Sequence, residues 1–202
     1  MNWTAQFIAM KEAADELARH VEGTYGLFHD AAQGWLAISK TLQQLVELEM
    51  QRGMSRNQAL LSPLIHGKGN PHDGGVALYE STLGEGISRC APHGPNEQFL
   101  GNMCLVSIYS FWEDKTRGRI ADALGITKDD VQSGLFSELA KLRHLILHAG
   151  GRADDRVKRF EVLKWFAPGD SIVIDREKLH EVVQLIRRFP DGLKTNGYVP
   201  GS

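Results

Sequence analysis

The stretch from Leu135 to Gly151 constrains the folding of this chain more than any other. Leu135, Leu139, Leu142, Ile146 and Ala149 recur at alternating gaps of four and three, the spacing of one buried face of an α-helix. Gly150-Gly151 then stops that helix. At about 100° per residue, His144 and His148 point almost opposite to the stripe, and Arg143 projects from its flank. Leu145 and Leu147 also lie outside the stripe, so the last two turns are apolar nearly all round and require cover on both sides. That second cover is either another part of this chain or a second copy of it. A second copy would bring two sets of Arg143, His144 and His148 together across a two-fold axis.

The remaining patterns are also mostly helical. Phe7, Met10, Ala14, Leu17 and Val21 predict one amphipathic helix broken at Gly23 and Gly26, and Trp35, Ile38, Leu42 and Leu45 predict a second that fades by Gly53. The two read as an antiparallel pair joined by a short turn. From Gly53 to about Asn96, repeated glycines and Pro63, Pro71, Pro92 and Pro95 exclude a long helix, with short ordered pieces expected near Asn57–Leu61 and Val76–Thr82. Leu100, Met103, Cys104, Ile108 and Phe111 make the apolar face of a helix running to Leu124, with Gly125 as its stop. Thr127 with Asp130 resembles a capping box, Ser133 is a second cap, and Asp154 or Asp155 is expected to cap a helix through Trp165. Ser171–Ile174 reads as extended, and Asp175 as the cap of a last helix ended by Pro190. The expected fold is all-α: an up-and-down helical bundle forming a single domain over residues 1–190. A long irregular Gly/Pro-rich insert at 53–97 interrupts it, and a disordered tail follows at 191–202.

Composition narrows the function classes. A formal net charge of -2 argues against a generic electrostatic binder of nucleic acid, so any RNA contact must come from a local basic patch. The two cysteines, Cys90 and Cys104, are too few for a disulfide framework. The apolar runs are far too short to span a membrane, and no signal peptide is visible at the start. A cytoplasmic protein without a membrane partner is the expectation. His66, His72, Cys90 and His93 are possible metal ligands in the insert, but their spacing matches no zinc pattern, so neither a metal nor a cofactor is expected.

The chemistry-bearing residues admit more than one reading. Arginine is a permanent cation whose planar fork matches phosphate, and histidine exchanges a proton near neutral pH. Arg143 and His148 could therefore act on a phosphodiester, with His144 as a third participant. The plainer alternatives are a C-terminal His148 favoured by the helix dipole, and an Arg143 ion pair with Glu113, Asp114 or Glu138. Arg152, Arg156, Lys158 and Arg159 form a basic run just after the helix, readable as a solvated face or as an RNA-backbone contact.

Arg143, a polar His144, three apolar residues and His148 resemble the Arg-polar-x3-His motif of HEPN domains. Leu105–Asp114 with Arg117 is similar to the helix preceding the motif in some HEPN groups, and Phe166–Ile174 to their turn before the final helix. The resemblance covers roughly Gln98 to Phe189. It implies an all-helical homodimer through the motif helix and a metal-independent endoribonuclease. Arg143, His148 and His144 would be catalytic, and Glu113 or Asp114 would orient the site. The RNA's own 2′-hydroxyl would be the attacking group. It also implies a role in toxin–antitoxin systems or antiviral defence, with an antitoxin or other regulatory protein as partner. A non-catalytic HEPN dimer that binds RNA, nucleotide or a partner protein is the alternative. A subgroup carries a modifiable tyrosine two residues after the histidine; here that position is Gly150.

Overall fold

A computed structural model describes residues 3–69, 74–188 and 194–195. It is 70% helix and 9% strand, consistent with an all-α class. The chain forms two compact units, residues 1–28 with 99–202, and residues 29–98.

The first helix departs from the expected pair. Helix α1 runs unbroken from Trp3 to Gln51, so Gly23 and Gly26 sit inside a helix rather than in a turn. Neither glycine has a positive φ, and a Cβ at either would meet open space. A mid-helix glycine costs only about 1 kcal/mol relative to alanine, which packing elsewhere on the helix offsets.

In the unit of residues 29–98, much of the predicted irregular insert is regular. Helix α2 (Arg56–Leu60) starts with a capping box between Ser55 and Gln58. Strands β1 (Pro63–Lys68) and β2 (Val76–Thr82) pair antiparallel with a bulge between His66 and Gly67. Helix α3 (Leu83–Cys90) has its own capping box, Thr82 with Glu85. A small core of Leu42, Val46, Ala59 and Leu83 holds these pieces. Short, capped elements pass beneath a reading based on long hydrophobic periods, which explains the correction.

The other unit holds the main core. Helix α4 (Pro95–Phe111), a π-helical turn at Trp112–Thr116 and helix α5 (Arg117–Leu124) replace the single predicted helix. Gly125 ends α5 with φ 71°, as its stop position requires. The Asp130 carboxylate does accept from Thr127 N (3.0 Å) and Oγ1 (2.6 Å), but it closes a 3-10 turn at Lys128–Asp130 rather than starting an α-helix. Strand β3 (Val131–Gln132) follows, then α6 (Gly134–His148).

The predicted helix from Asp154 to Trp165 is only a 3-10 turn, Asp155–Arg159, capped by Asp154. The following residues lack regular hydrogen bonding, and side chains from other elements meet their backbone. Glu138, 5% exposed on α6, accepts from Glu161 N (2.6 Å), Val162 N (3.2 Å) and Leu163 N (2.7 Å). Asn102 on α4 donates to the Ile172 carbonyl and accepts from Ile174 N, both at 3.0 Å. At Gly101 a Cβ would run into the Ile174 carbonyl, so only glycine permits that approach. Ser171–Ile174, predicted to be extended, forms only a bridge from Ser171 to Arg152.

Asp175 caps the last helix, α7 (Arg176–Arg187), accepting from Lys178 N at 2.9 Å. The Pro190 stop and most of the predicted disordered tail, 191–202, lie outside the described residues. Within that tail Lys194–Thr195 form strand β4, antiparallel to β3, so those two residues are ordered. Backbone pairing supplies order that the tail's composition does not reveal.

Replacing Glu138 by Gln should lower stability by about 2–4 kcal/mol, because a carboxylate meeting several buried N–H groups becomes an amide with one accepting oxygen. Denaturant unfolding measures this, and an unchanged midpoint would contradict the assigned role. Gly101→Ala should cost about 1–3 kcal/mol through the forced separation of α4 from Ile174.

Candidate functional site

Helix α6 buries the first part of the predicted stripe and adds one residue, while Ala149, at the C-cap, is exposed. Leu135, Leu139 and Leu142 are buried, and so is Leu145, which the chain covers by itself. Leu147 stays 41% exposed and Ile146 is half-buried. The demand for cover on both sides is therefore met within the chain at Leu145 and unmet at Leu147.

Gly150 and Gly151 turn the chain away at the helix end, with φ of 64° and 69°. Gly151 N closes on the Leu145 carbonyl at 3.1 Å. The chain then zips onto residues 169–172: Ala153 N donates to Asp170 O, Gly169 N to Ala153 O, and Ile172 N to Gly151 O, at 2.7–2.9 Å. Left-handed backbone at two consecutive positions disfavours any side chain there, tyrosine at 150 included.

His144 and His148 are both exposed on the terminal turns of α6. Their rings lie 5.2 Å apart between centroids, tilted by 48°. Arg143 is half-buried, and its Nε is buried without a hydrogen-bond partner among the described residues. Helical geometry separates His144 from His148 by about 40° but Arg143 from His148 by about 140°. One chain thus gathers the imidazoles on one face and aims the guanidinium elsewhere.

The predicted supporting acids have these surroundings. Glu113 pairs with Arg117 (3.1 Å) and Lys128 (2.9 Å), and Asp114 is exposed. Partial burial pushes the Glu113 carboxyl up, but Lys128 and Arg117 together hold it below the usual carboxylate range. Glu138, the third candidate partner of Arg143, is committed to the 161–163 backbone.

One acid that sequence reading treated as a helix cap lies within electrostatic reach of His144. Asp154 makes an ion pair with Arg156 at 2.7 Å, and Arg156's side chain and backbone N–H hold its carboxyl low, with a smaller contribution from His144. Of the predicted RNA-contacting cations, Arg156 is thus paired, Lys158 pairs with Asp155 (2.6 Å), and Arg152 donates to the Gly169 carbonyl (3.2 Å). Arg159 is exposed and makes no ion pair with another described residue.

Beside the N-terminal turns of α6 lies a cleft of about 560 Å³, bounded on the other side by the π-helical turn. Tyr109, Trp112, Glu113 and Arg117 form one side, and Ser133, Ser137 and Ala140 the other. Trp112 and Phe136 stack within its wall, ring centroids 4.1 Å apart. Burial raises the Tyr109 hydroxyl's pKa, helped by the Glu113 charge and opposed by Arg117 and Arg143. Trp112 belongs to the main core and Tyr109 packs against it, so neither residue announces a cleft in the sequence. The π-helical turn that exposes it leaves no periodic signature.

Among the described residues no three His, Cys, Asp or Glu side chains gather to hold a metal. His66 lies against Tyr79, Cys90 is buried, and His72 lies outside the described residues. No described helix is long and apolar enough to cross a membrane. No protein-family model, curated protein or solved structure matches the chain.

Glu113 provides a pH test. Because its folded carboxyl lies below the ordinary value, its pairs contribute stability that is present above that value and lost as pH falls through the folded one. The stability difference between the protein and Glu113→Gln should therefore shrink on acidification, from about 1 kcal/mol near neutrality. A constant difference across that range would refute the assignment.

Proposed function

We propose that the protein is a metal-independent endoribonuclease of HEPN type, acting as a homodimer through α6. The observation that carries this reading is the pair of exposed imidazoles at the end of α6, beside a half-buried arginine with an unpartnered Nε. A proton-transfer pair combined with a permanent cation suits phosphodiester cleavage. The Arg143–His148 divergence favours a composite site, in which a second copy supplies the missing group. The exposed Leu147 gives that copy an apolar contact beside the histidines.

In this mechanism His148 removes the proton of a ribose 2′-hydroxyl as that oxygen bonds to phosphorus. The bond from phosphorus to the 5′-oxygen breaks, and an imidazolium gives that oxygen its proton. Arg143 stabilises the charge on the phosphoryl oxygens, and His144 positions His148 or the phosphate. The products are a 2′,3′-cyclic phosphate and a 5′-hydroxyl. Arg159 and, after exchange of their ion-pair partners, Arg156 and Lys158 would hold the flanking RNA backbone. A cytoplasmic role in toxin–antitoxin or antiviral defence, restrained by an antitoxin, belongs to the same reading.

The test is cleavage of mixed RNAs with and without EDTA. Chelator-resistant cleavage should fall by about 10²–10⁴-fold in His148→Ala, and comparably in Arg143→Ala. RNA binding without cleavage would replace this reading by the non-catalytic dimer. Chelator-sensitive cleavage would replace it by a metal enzyme.

A further inference from the structure

The cleft beside α6 has a composition that the cleavage chemistry does not use. Its volume of about 560 Å³ lies within the ~300–1,000 Å³ typical of small-molecule sites. The partly exposed Tyr109 ring gives it aromatic surface, while Trp112 and Phe136, stacked on each other and buried, close its inner wall. Gly134, Ser137 and Ala140, each one helical turn from the next, keep the opposite wall low. The Gln132 amide and the Ser133 and Ser137 hydroxyls offer uncharged groups that both donate and accept. Ser133 occupies the N-cap position of α6, yet its side chain makes no capping bond.

The two charges on the lining point to the kind of ligand. Arg117 is engaged by Glu113, by the Val131 carbonyl (3.1 Å) and by Asp129 (3.6 Å). Glu113 is engaged by Arg117 and Lys128. A phosphate would need a cation free to meet it, and here the cation is already matched. A flat, neutral heterocycle with a polar edge fits the Tyr109 ring and the neutral donor–acceptor groups around it. The location agrees, because Ala140 lies one turn, about 5 Å, before Arg143 along α6, and Tyr109 feels the Arg143 charge. π-Helical turns of this kind recur at functional sites.

We propose that this cleft is a nucleobase subsite, seating one base of the strand next to the phosphate held at Arg143. The identity of the strand as RNA rests on the ribonuclease reading; the base-binding property does not.

Equilibrium dialysis of the four nucleoside 3′-monophosphates, with ribose 5-phosphate and inorganic phosphate as base-free probes, tests it. At least one nucleotide should bind about tenfold or more tightly than ribose 5-phosphate, the scale of one stacked base. Ser137→Leu, at an exposed position, should weaken that nucleotide about tenfold, and Gln132→Ala should alter the preference among the four bases. Equal binding of base-bearing and base-free probes overturns the proposal, as does a folded Ser137→Leu that binds like the parent. Should Ser137→Leu not fold, an unaltered base preference in Gln132→Ala overturns it instead. Base-dependent binding without RNA cleavage retires the ribonuclease reading and keeps the subsite. Cleavage without base-dependent binding does the reverse.

Discussion

The buried Glu138 carboxylate is the interaction on which the motif-bearing unit most depends. Residues 160–175 cross the core with almost no regular hydrogen bonding, yet Phe160, Leu163, Ile172 and Ile174 must all be buried there. Backbone donors cannot be buried unmet without large cost. Glu138 meets those at 161–163 from α6, and Asn102 meets Ile172 and Ile174 from α4. Two polar side chains thus replace a helix or a sheet ladder. Because Glu138 sits on α6, the same contact fixes the helix that carries Arg143, His144 and His148.

The helix end is fixed from the other side by the Gly150-Gly151 turn. Its left-handed residues send the chain straight back onto 169–172, and Asp154 arrives beside His144 as a result. The imidazoles remain in solvent while the backbone beneath them is pinned. Rigid support under exposed titratable groups is what acid–base chemistry requires, since misplacement by an ångström is costly.

Charge is organised around pairs rather than a basic field. Glu113 with Arg117 and Lys128, Asp154 with Arg156, and Asp155 with Lys158 each satisfy cations that a sequence count leaves available for nucleic acid. The more exposed Asp154–Arg156 and Asp155–Lys158 pairs are individually weak and exchange readily with a polyanion, whereas Arg117 is largely enclosed by its three partners.

The sequence by itself determined the helical class, the buried stripe of α6, its glycine stop, the Thr127–Asp130 and Asp175 caps, and the solvent-facing side of His144 and His148. These depend on spacing and on side chains bonding to backbone a few residues away, so they are readable locally. Tertiary structure alone decided that α1 continues through Gly23 and Gly26 and that a π-helical turn splits the 95–124 segment. It also decided that Glu138 and Asn102 serve distant backbone, and that Glu113 pairs with Arg117 and Lys128. Each of these is a choice among locally permissible options of similar energy, and only contacts between residues far apart in the chain are strong enough to make it.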